Sequence, residues 1–441
     1  MAVNSRKAAA EILYNIIKLK KSLSEEIDIL RKREDISLLD IRFVSEIVNG
    51  VMRNLEFIDY AISLSSNVRI SKIAPYVMCI LRSGAYQILF MDKVPASAAV
   101  NESVKLIKKS SNKHLSGFVN AVLRSVERKG NNLPLPEDEK IKNSILYSCP
   151  LWLVDRYKEL LGNGYVDFLK AASVKSPTIL RVNKLRTNPD ELCDILNKEG
   201  WSCRKLDTDI VDGADFLLIA DKIVNLTESN AYNKGLFYVQ DSAAAYTSII
   251  LNPKPGSTVL DMCASPGGKT THMAEIMNNT GKIYAFDLSE QKIEKIRQNA
   301  DRLGIDIIET RIADSTVYNP EFENKADYIL VDAPCSGLGI VRKKPDIKYT
   351  RTPDDIEQLS GISLSVLETC AAYLKSGGTM VFSTCTLMPQ ENEDVLFTFL
   401  NTHKDFHLKK IPCNKPNEGY ITLYPHTDDC DGFFISLMIK D

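Results

Sequence analysis

The pattern that most constrains the fold is a regular alternation of strand-like and helical segments from about residue 233 to residue 441. Strand-like runs such as "STVLDMCA" and "ADYILVDAP" alternate with helical segments such as "EQKIEKIRQNADRLG". The near-continuous apolar run of "ADYILVDAP" is typical of a parallel strand that is buried on both faces. This alternation predicts an α/β domain with a doubly wound, parallel, Rossmann-like sheet, in which ligands bind at the carboxyl ends of the strands.

Two regions with other patterns precede this sheet. Residues 1–130 carry several apolar stripes at helical spacing, as in "FVSEIVNGVMRNLEFI", and predict an all-α bundle. Residues 131–145 are polar and contain proline, which indicates a linker. Residues 146–232 mix strand-like and helical segments and predict a small α+β subdomain. We therefore expect a multidomain chain, with 233–441 as the α/β domain.

Composition excludes several classes of protein. The sequence contains no run of 18 apolar residues, so no membrane span is expected, and the N-terminal stretch predicts an amphipathic helix rather than a signal peptide. The ten cysteines lack framework spacing, so we expect reduced thiols in a cytoplasmic protein. His403, His407, Cys413 and Cys430 fit no zinc template, so no metal is expected.

Charge is distributed unevenly, although the net charge is only −2. Residues 1–130 contain 21 basic and 13 acidic side chains, a net charge near +8, which leaves the remainder near −10. A basic segment beside a neutral-to-acidic body suggests that one part of the chain binds phosphates. A solvated basic helical face explains the same counts equally well.

The segment "LDMCASPGGKTTH" predicts a ligand-binding turn at the end of the first strand of the α/β domain. Gly267 and Gly268 allow a tight turn, and the following helix directs its positive N-terminus to the same place. The loop is neither a GxGxxG fingerprint nor a Walker A motif, because Cys263 stands where the latter requires glycine. Asp287 and Asp314 follow the next two strands, where acids can bind ribose hydroxyls and an adenine amine. These features favour S-adenosylmethionine over NAD or ATP, and a glycine turn with helix caps is the alternative.

Two cysteines stand at the ends of neighbouring predicted strands. Cys335 lies in "DAPCSGLG", three residues after Asp332, and Cys385 lies in "STCTLMP". Either thiol could be a nucleophile. Position alone does not decide between them, although the proline and glycines around Cys335 slightly favour it. Each cysteine taken alone could also be core packing, and the two together could be a redox pair.

Four motifs, in this order, resemble the RNA cytosine-5 methyltransferases of the Nol1/Nop2/Sun family over about residues 146–441: "DMCASPGGKTTH", "DAPCSGLG", "KKPDIKY" and "STCTLMPQENE". The segments "PASAAVNESVKLIKK" and "GFVNAVLR" resemble a NusB-like RNA-binding helical domain. The fusion is similar to bacterial 16S rRNA methyltransferases. This resemblance implies a seven-stranded sheet and S-adenosylmethionine as the methyl donor. It also implies that the protein is a monomer whose partner is 16S rRNA or a small-subunit assembly particle.

The resemblance also implies roles for single residues. Cys385 would be the nucleophile, Cys335 would assist product release, and Asp332 would polarise the base. The implied donor contacts are Cys263, Ala264, Ser265, Pro266, Gly267, Gly268, Lys269, Asp287, Asp314 and Asp332.

Contacts with RNA are expected from two stretches. Arg342, Lys343 and Lys344 follow the catalytic loop and could hold phosphates, and a solvated basic loop is the alternative. Arg181 and Asn183 in "LRVNK" could line an RNA groove, and a buried strand with an ion pair is the alternative. Since only the helical fusion selects rRNA, a tRNA cytosine-5 methyltransferase and a non-catalytic RNA-binding scaffold stay open as functions.

Overall fold

The computed structural model describes residues 4–441, and the chain divides into two compact units. The first unit comprises the described residues up to Lys175 together with Val341–Arg351. The second unit comprises Ser176–Ile340 and Thr352–Asp441. Among the described helices, none is long and apolar enough to cross a membrane.

The first unit is helical, as the apolar stripes predict. In the stripe of "FVSEIVNGVMRNLEFI", Val44, Ile47, Val48 and Val51 are all completely buried in the core of this unit. The helices of the first unit are α1 (Ser5–Leu19), α2 (Leu23–Arg31), α3 (Leu38–Arg53), α4 (Leu55–Ser65), α5 (Pro75–Phe90), α6 (Ala96–Lys108), α7 (Ser116–Lys129), α8 (Glu139–Leu146), α9 (Leu151–Leu161), α10 (Tyr165–Ser173) and α16 (Ile347–Thr350).

The segment Val341–Arg351 is built into the first unit by buried polar contacts. The ammonium of Lys348 is buried and donates to the carbonyl of Ser148 at 2.5 Å, and the Tyr349 hydroxyl donates to the same oxygen at 2.8 Å. Burial lowers the pKa of Lys348 to about 8. A buried ammonium is tolerated here because backbone carbonyls supply its hydrogen bonds.

A small antiparallel sheet opens the second unit, with strand order β2-β3-β1-β4. Its fourth strand lies beyond residue 232, where the sequence pattern had placed the start of the α/β domain. Helices α9 and α10, from the other end of the expected 146–232 subdomain, lie in the first unit. The elements are β1 (Thr178–Val182), α11 (Pro189–Lys198), β2 (Ser202–Lys205), β3 (Leu217–Lys222), α12 (Asn230–Asn233) and β4 (Phe237–Val239).

The large sheet follows the predicted alternation of strands and helices. Its strand order is β10-β12-β9-β8-β5-β6-β7, and β11 pairs with β12. The elements are α13 (Ser242–Leu251), β5 (Thr258–Asp261), α14 (Gly268–Ile276), β6 (Lys282–Asp287), α15 (Glu290–Leu303), β7 (Ile308–Ile312), β8 (Ala326–Asp332), α17 (Pro353–Tyr373), β9 (Leu374–Thr384), α18 (Glu393–Thr402), β10 (Phe406–Leu408), β11 (Tyr420–Leu423) and β12 (Phe433–Lys440).

The predicted parallel sheet is confirmed in its central strands, and one edge of the sheet is antiparallel. Strands β5 to β9 are parallel, but β12 is antiparallel to β9, β10 and β11. The reason is the connection: a parallel neighbour needs a crossover, whereas the loop 424–432 returns the chain directly beside β11. The Rossmann-like α/β class is confirmed, with eight strands in a mixed sheet.

The parallel part of the sheet brings the motif-bearing loops to one edge. Strands β8 and β9 are adjacent, with Asp332 and Ser383 as register partners, so the loops that follow them are neighbours. Strand β5 lies on the other side of β8, which places its loop beside the same edge.

Candidate active site

The loop after β5 is held in place by the neighbouring strand β6. Ala264 N–H donates to the carbonyl of Phe286 at 2.9 Å, and Ser265 N–H donates to a carboxylate oxygen of Asp287 at 3.0 Å. Gly267 has φ +97°, in the region that favours glycine, and α14 begins at the next residue. Asp287 therefore shapes the loop that the sequence assigns to the cofactor.

A cavity of about 200 Å³ lies against this loop and the end of β8. Cys263 and Lys269 of the loop line it, together with Asp261 at the end of β5 and Asp332 at the end of β8. The small sheet contributes a third wall through Tyr238. The cavity thus stands at the carboxyl ends of the central strands, where the pattern predicts a ligand.

Asp261 gives this cavity a buried acid. Thr270 Oγ1 donates to its Oδ2 at 2.7 Å, while its Oδ1 is buried and accepts no hydrogen bond from the described residues. Burial, and to a smaller extent the charge of Asp332, raises the pKa of Asp261 to about 7. An acid with an unpartnered oxygen suits a positively charged ligand, and S-adenosylmethionine carries a sulfonium and an ammonium. The lining therefore fits this donor.

Lys269 and Ser383 hold the two oxygens of Asp332. Lys269 Nζ lies 2.7 Å from Oδ2, and Ser383 Oγ donates to Oδ1 at 2.9 Å. The Lys269 ammonium also lies 5.0 Å from the ring centre of Phe433, within cation–π range. Burial by itself would lower the pKa of Lys269, but Asp332 more than offsets it, so the pKa is raised. Lys269 stays charged and fixes the direction of the Asp332 carboxylate.

The sulfurs of Cys335 and Cys385 lie 3.3 Å apart, and the Cys385 N–H donates to the Cys335 sulfur at 3.3 Å. The hydrogen bond with Cys385, followed by burial and the charges of Cys385, Glu391 and Asp332, raises the pKa of Cys335 well above its usual value. Cys335 therefore keeps its proton in the free protein. The cysteines are fifty positions apart in the sequence, and the adjacency of β8 and β9 brings them together.

Asp314 follows β7, as the sequence predicts, and its side chain is exposed. Its Oδ1 accepts hydrogen bonds from the backbone N–H of Thr316 at 3.0 Å and from the Thr316 hydroxyl at 2.7 Å. These bonds lower the pKa of Asp314, so its carboxylate is a ready acceptor for a ligand. Its contact with an adenine amine stays a prediction.

Arg181 and Asn183 do not lie on an accessible surface, because both are completely buried. Arg181 forms an ion pair with Glu275 at 2.8 Å, and Asn183 donates to the carbonyls of Gly235 and Leu303 at 2.9 and 3.0 Å. The alternative of a buried strand with an ion pair is therefore the correct interpretation, and these residues do not line an RNA groove in this structure.

The three basic residues after the Cys335 loop differ in burial: the first is buried and the other two are exposed. Arg342 is only 5% exposed, and its carbonyl accepts a hydrogen bond from the Arg53 side chain at 2.7 Å. The prediction that Arg342 contacts a phosphate is therefore wrong, because its side chain is buried within the first unit. Lys343 and Lys344 are exposed. Their contact with RNA phosphates stays a prediction.

Several site residues had no clear signal in the sequence. Asp261 stands inside the quoted loop motif, but only its burial marks it as unusual. Ser383 is recognisable only from its register with Asp332. Phe433 is one of many apolar residues in β12, and nothing local distinguishes it.

A mixed α/β sheet with a glycine loop and an acid-lined cavity at its strand ends defines an S-adenosylmethionine-dependent methyltransferase domain. Residues 248–439 match the family described as "16S rRNA methyltransferase RsmB/F". Residues 149–210 match the "Methyltr_RsmF/B-like, ferredoxin-like domain", and residues 3–128 match the "NusB family". The chain belongs to the RsmB/F family of 16S rRNA methyltransferases.

The similarity extends over the whole chain. "Probable ribosomal RNA small subunit methyltransferase B" of Bacillus subtilis (strain 168) is 36% identical over 93% of this chain and 92% of that protein. The crystal structure of PH0851 superposes with a TM-score of 0.82, at 28% identity and full coverage of both chains. NSun6 from Pyrococcus horikoshii, solved with the S-adenosylmethionine analogue SFG, has a TM-score of 0.58 at 25% identity and covers 67% of this chain and 99% of its own.

Proposed function

We propose that the protein transfers a methyl group from S-adenosylmethionine to carbon 5 of a cytosine in 16S rRNA, through a covalent adduct between Cys385 and carbon 6. The observation that carries this proposal is the pair of sulfurs 3.3 Å apart, in the loops after β8 and β9, at the same sheet edge as the cavity that Asp332 lines. A methyl transfer to oxygen or nitrogen needs no such pair, whereas a carbon-5 transfer has separate work for two thiols.

Carbon 5 of cytosine is a weak nucleophile, and the protein must activate it. Addition of the Cys385 thiolate to carbon 6 turns the ring into an enamine whose carbon 5 can form a new bond. Asp332 acts on the base as a carboxylic acid: its proton is donated to N3 and its other oxygen accepts from the N4 amine, which offsets the negative charge that develops on the ring. When bound, the donor supplies an electrophilic methyl group. A base then removes the carbon-5 proton, and Cys335 assists the departure of the Cys385 sulfur.

The charges around the two sulfurs support this division of roles. The hydrogen bond with Cys385 and burial raise the pKa of Cys335, which disfavours a thiolate on Cys335 in the free protein. Negative charge on Cys385 interacts favourably with the Lys269 ammonium. The same ammonium holds Asp332, so one cation serves the attacking sulfur and the polarising acid.

The choice of substrate rests on the relatives and on the helical unit. The printed names of the full-length relatives refer to small-subunit ribosomal RNA, and the N-terminal match is to the NusB family. The exposed Lys343 and Lys344 supply positive charge for phosphates. A target cytosine in a duplex must be unpaired before it enters the site.

The roles of the cysteines are tested with labelled donor and 16S rRNA from cells that lack the modification. The wild type should transfer label to carbon 5 of cytosine, and Cys385→Ala should not. Cys335→Ala should accumulate a covalent RNA–protein band on denaturing gels, because release is impaired. Cys193→Ala, in α11, is the matched control and should behave as wild type. If Cys385→Ala forms the band and Cys335→Ala does not, the two roles are reversed.

The substrate is tested by bisulfite sequencing of total RNA from a strain without this gene. A 16S rRNA cytosine that loses its protection in the mutant supports the proposal. A lost mark in tRNA, with all rRNA marks intact, would instead make the protein a tRNA cytosine-5 methyltransferase. If no mark is lost and the wild type transfers no label, the protein is a non-catalytic scaffold.

A further inference from the structure

A buried carboxylate joins the two cysteine loops. Glu391 is 0% exposed, and its Oε1 accepts a hydrogen bond from the Ser336 N–H at 2.6 Å. Its Oε2 accepts from the Ser336 hydroxyl at 2.5 Å and from the Thr386 hydroxyl at 2.9 Å. Ser336 directly follows Cys335, and Thr386 directly follows Cys385. One side chain therefore holds the residue after each cysteine.

The next residue along the chain extends this arrangement around Cys385. Asn392 Oδ1 accepts from the Thr384 hydroxyl at 2.5 Å, and its Nδ2 donates to the Thr386 carbonyl at 3.1 Å. The residues on both sides of Cys385 are thus held by side chains from the turn that begins α18. A backbone bond from Gly339 N–H to the Cys385 carbonyl, at 2.9 Å, adds a direct link between the loops.

Burying a carboxylate is costly unless hydrogen bonds replace its hydration, and here three donors do so. All three come from the loops that carry the thiols. We propose that Glu391 is a positioning residue, which sets the separation and direction of the Cys335 and Cys385 thiols. The catalytic part of this inference rests on the proposed function, whereas the geometric part concerns the free protein and can be tested without RNA.

Positioning matters because two sulfurs must act in turn on one cytosine. A displacement of ~1 Å in a reacting group can cost about 100-fold in rate. Without the Glu391 carboxylate, the loops after β8 and β9 remain attached to their strands, and the hydroxyls of Ser336 and Thr386, 2.9 Å apart, can still bond to each other. The residues that follow the two thiols nevertheless lose their common acceptor. We expect a slower reaction with unchanged donor binding.

The variants Glu391→Ala and Glu391→Gln separate geometry from charge. Alanine removes all three hydrogen bonds. Glutamine can still accept from the Ser336 N–H through its oxygen, and its amide can donate to the hydroxyl oxygens of Ser336 and Thr386. Glu368→Ala, on the exposed side of α17, is the matched control. Thr386→Val, which removes one of the three bonds, carries the same test if Glu391→Ala does not fold.

The first measurement is the rate at which the azo oxidant diamide joins Cys335 to Cys385 in the free protein. Both thiols lose their hydrogens, one S–S bond forms, and diamide takes up two electrons and two protons to become a hydrazine. Mass spectrometry of the linked peptides follows the reaction. Cys193 and Cys203, whose sulfurs lie 2.7 Å apart in the small α+β part of the second unit, report on the oxidant in the same sample.

In Glu391→Ala, the disulfide between Cys335 and Cys385 should form about tenfold more slowly, relative to the one between Cys193 and Cys203. The reason is that the two thiols are no longer held close together. Glu391→Gln should keep at least the wild-type ratio, because it retains the hydrogen bonds and removes a charge that raises the pKa of Cys335. Glu368→Ala should retain the wild-type ratio. A wild-type ratio in Glu391→Ala, or a loss in Glu391→Gln as large as in alanine, would overturn the positioning role.

The second measurement is methyl transfer itself. In Glu391→Ala, kcat should fall about 100-fold while KM for the donor is unchanged, and glutamine should restore most of kcat. An unchanged kcat in Glu391→Ala would refute the catalytic consequence. If the wild type transfers no methyl group to cytosine and the diamide ratio still falls in Glu391→Ala, the proposed function fails and the geometric role of Glu391 stands.

Discussion

Replacing Asp261 by asparagine should stabilise the second unit at pH 8 and leave it nearly unchanged at pH 4. Asparagine keeps an oxygen for the Thr270 hydroxyl, which donates to Oδ2 at 2.7 Å in the wild type. It places an uncharged amide where the other carboxylate oxygen is buried without a partner among the described residues. The substitution therefore removes a buried charge and preserves the shape of the site.

The expected magnitude follows from the raised pKa of Asp261. The folded protein holds this proton up to a pH of about 7, whereas the unfolded chain loses it near the usual aspartate pKa of 3.8. Between these values the folded state binds the extra proton, so stability falls as pH rises through this window. The difference corresponds to about 4 kcal/mol once pH exceeds 7, which is the upper limit of the gain from Asp261→Asn.

Urea unfolding followed by tryptophan fluorescence can measure this gain within the second unit. The chain has two tryptophans, Trp152 in the first unit and Trp201 in the second, so a Trp152→Phe background leaves one local reporter. The exposed Asp306→Asn serves as control and should change stability by less than about 0.5 kcal/mol at either pH. An Asp261→Asn effect of equal size at pH 4 and pH 8 would refute the reasoning.

Three further predictions concern packing and buried charge. Arg181→Met should lower the free energy of unfolding by about 3–5 kcal/mol in the same urea assay, because it leaves the Glu275 carboxylate buried without its cation, and a loss below about 1 kcal/mol would contradict this. Gly235→Ala should lower the melting temperature markedly, since φ is +66° and a Cβ would lie 1.9 Å from a backbone oxygen, so a wild-type melting curve would contradict the packing described. Burial lowers the pKa of Lys348 to about 8, so between pH 8 and 10.5 the unfolded chain keeps a proton that the folded protein releases. As the pH rises through this range, the wild type should therefore gain stability relative to Lys348→Met. Parallel pH profiles of the two proteins would show that the ammonium is not desolvated.

The residues of the candidate active site could be predicted from the sequence because the motifs that contain them stand at the ends of predicted strands. Parallel strands present their carboxyl ends at one edge, so Asp332, Cys335 and Cys385 could be placed together before any coordinates were known. The distance between the two sulfurs could not be predicted from position, because it also depends on the conformation of the loops that follow the two strands. The adjacency of β8 and β9 sets the distance of 3.3 Å between the sulfurs.

The prediction that Arg181 and Asn183 contact RNA is wrong, because a basic residue looks the same in the sequence whether it lies on the surface or in the core. The segment "LRVNK" contains Arg181 and Asn183, and its sequence is compatible with either a surface or a core position. Glu275, in the helix α14, lies about ninety residues further along the chain, and only the buried ion pair with it shows that Arg181 is an internal cation.

The sequence by itself determined the helical first region, the alternation of strands and helices, and the glycine loop with its acids, since hydrophobic period and turn chemistry are local properties. Tertiary structure decided the antiparallel entry of β12, the placement of Val341–Arg351 within the first unit, and the common anchor of both cysteine loops on Glu391. Apart from the local bond between Thr386 and Glu391, these features depend on contacts between residues that are tens to hundreds of positions apart. Such contacts leave no periodic trace in the sequence, because their energy comes from burial and hydrogen bonding that exist only after the chain has folded.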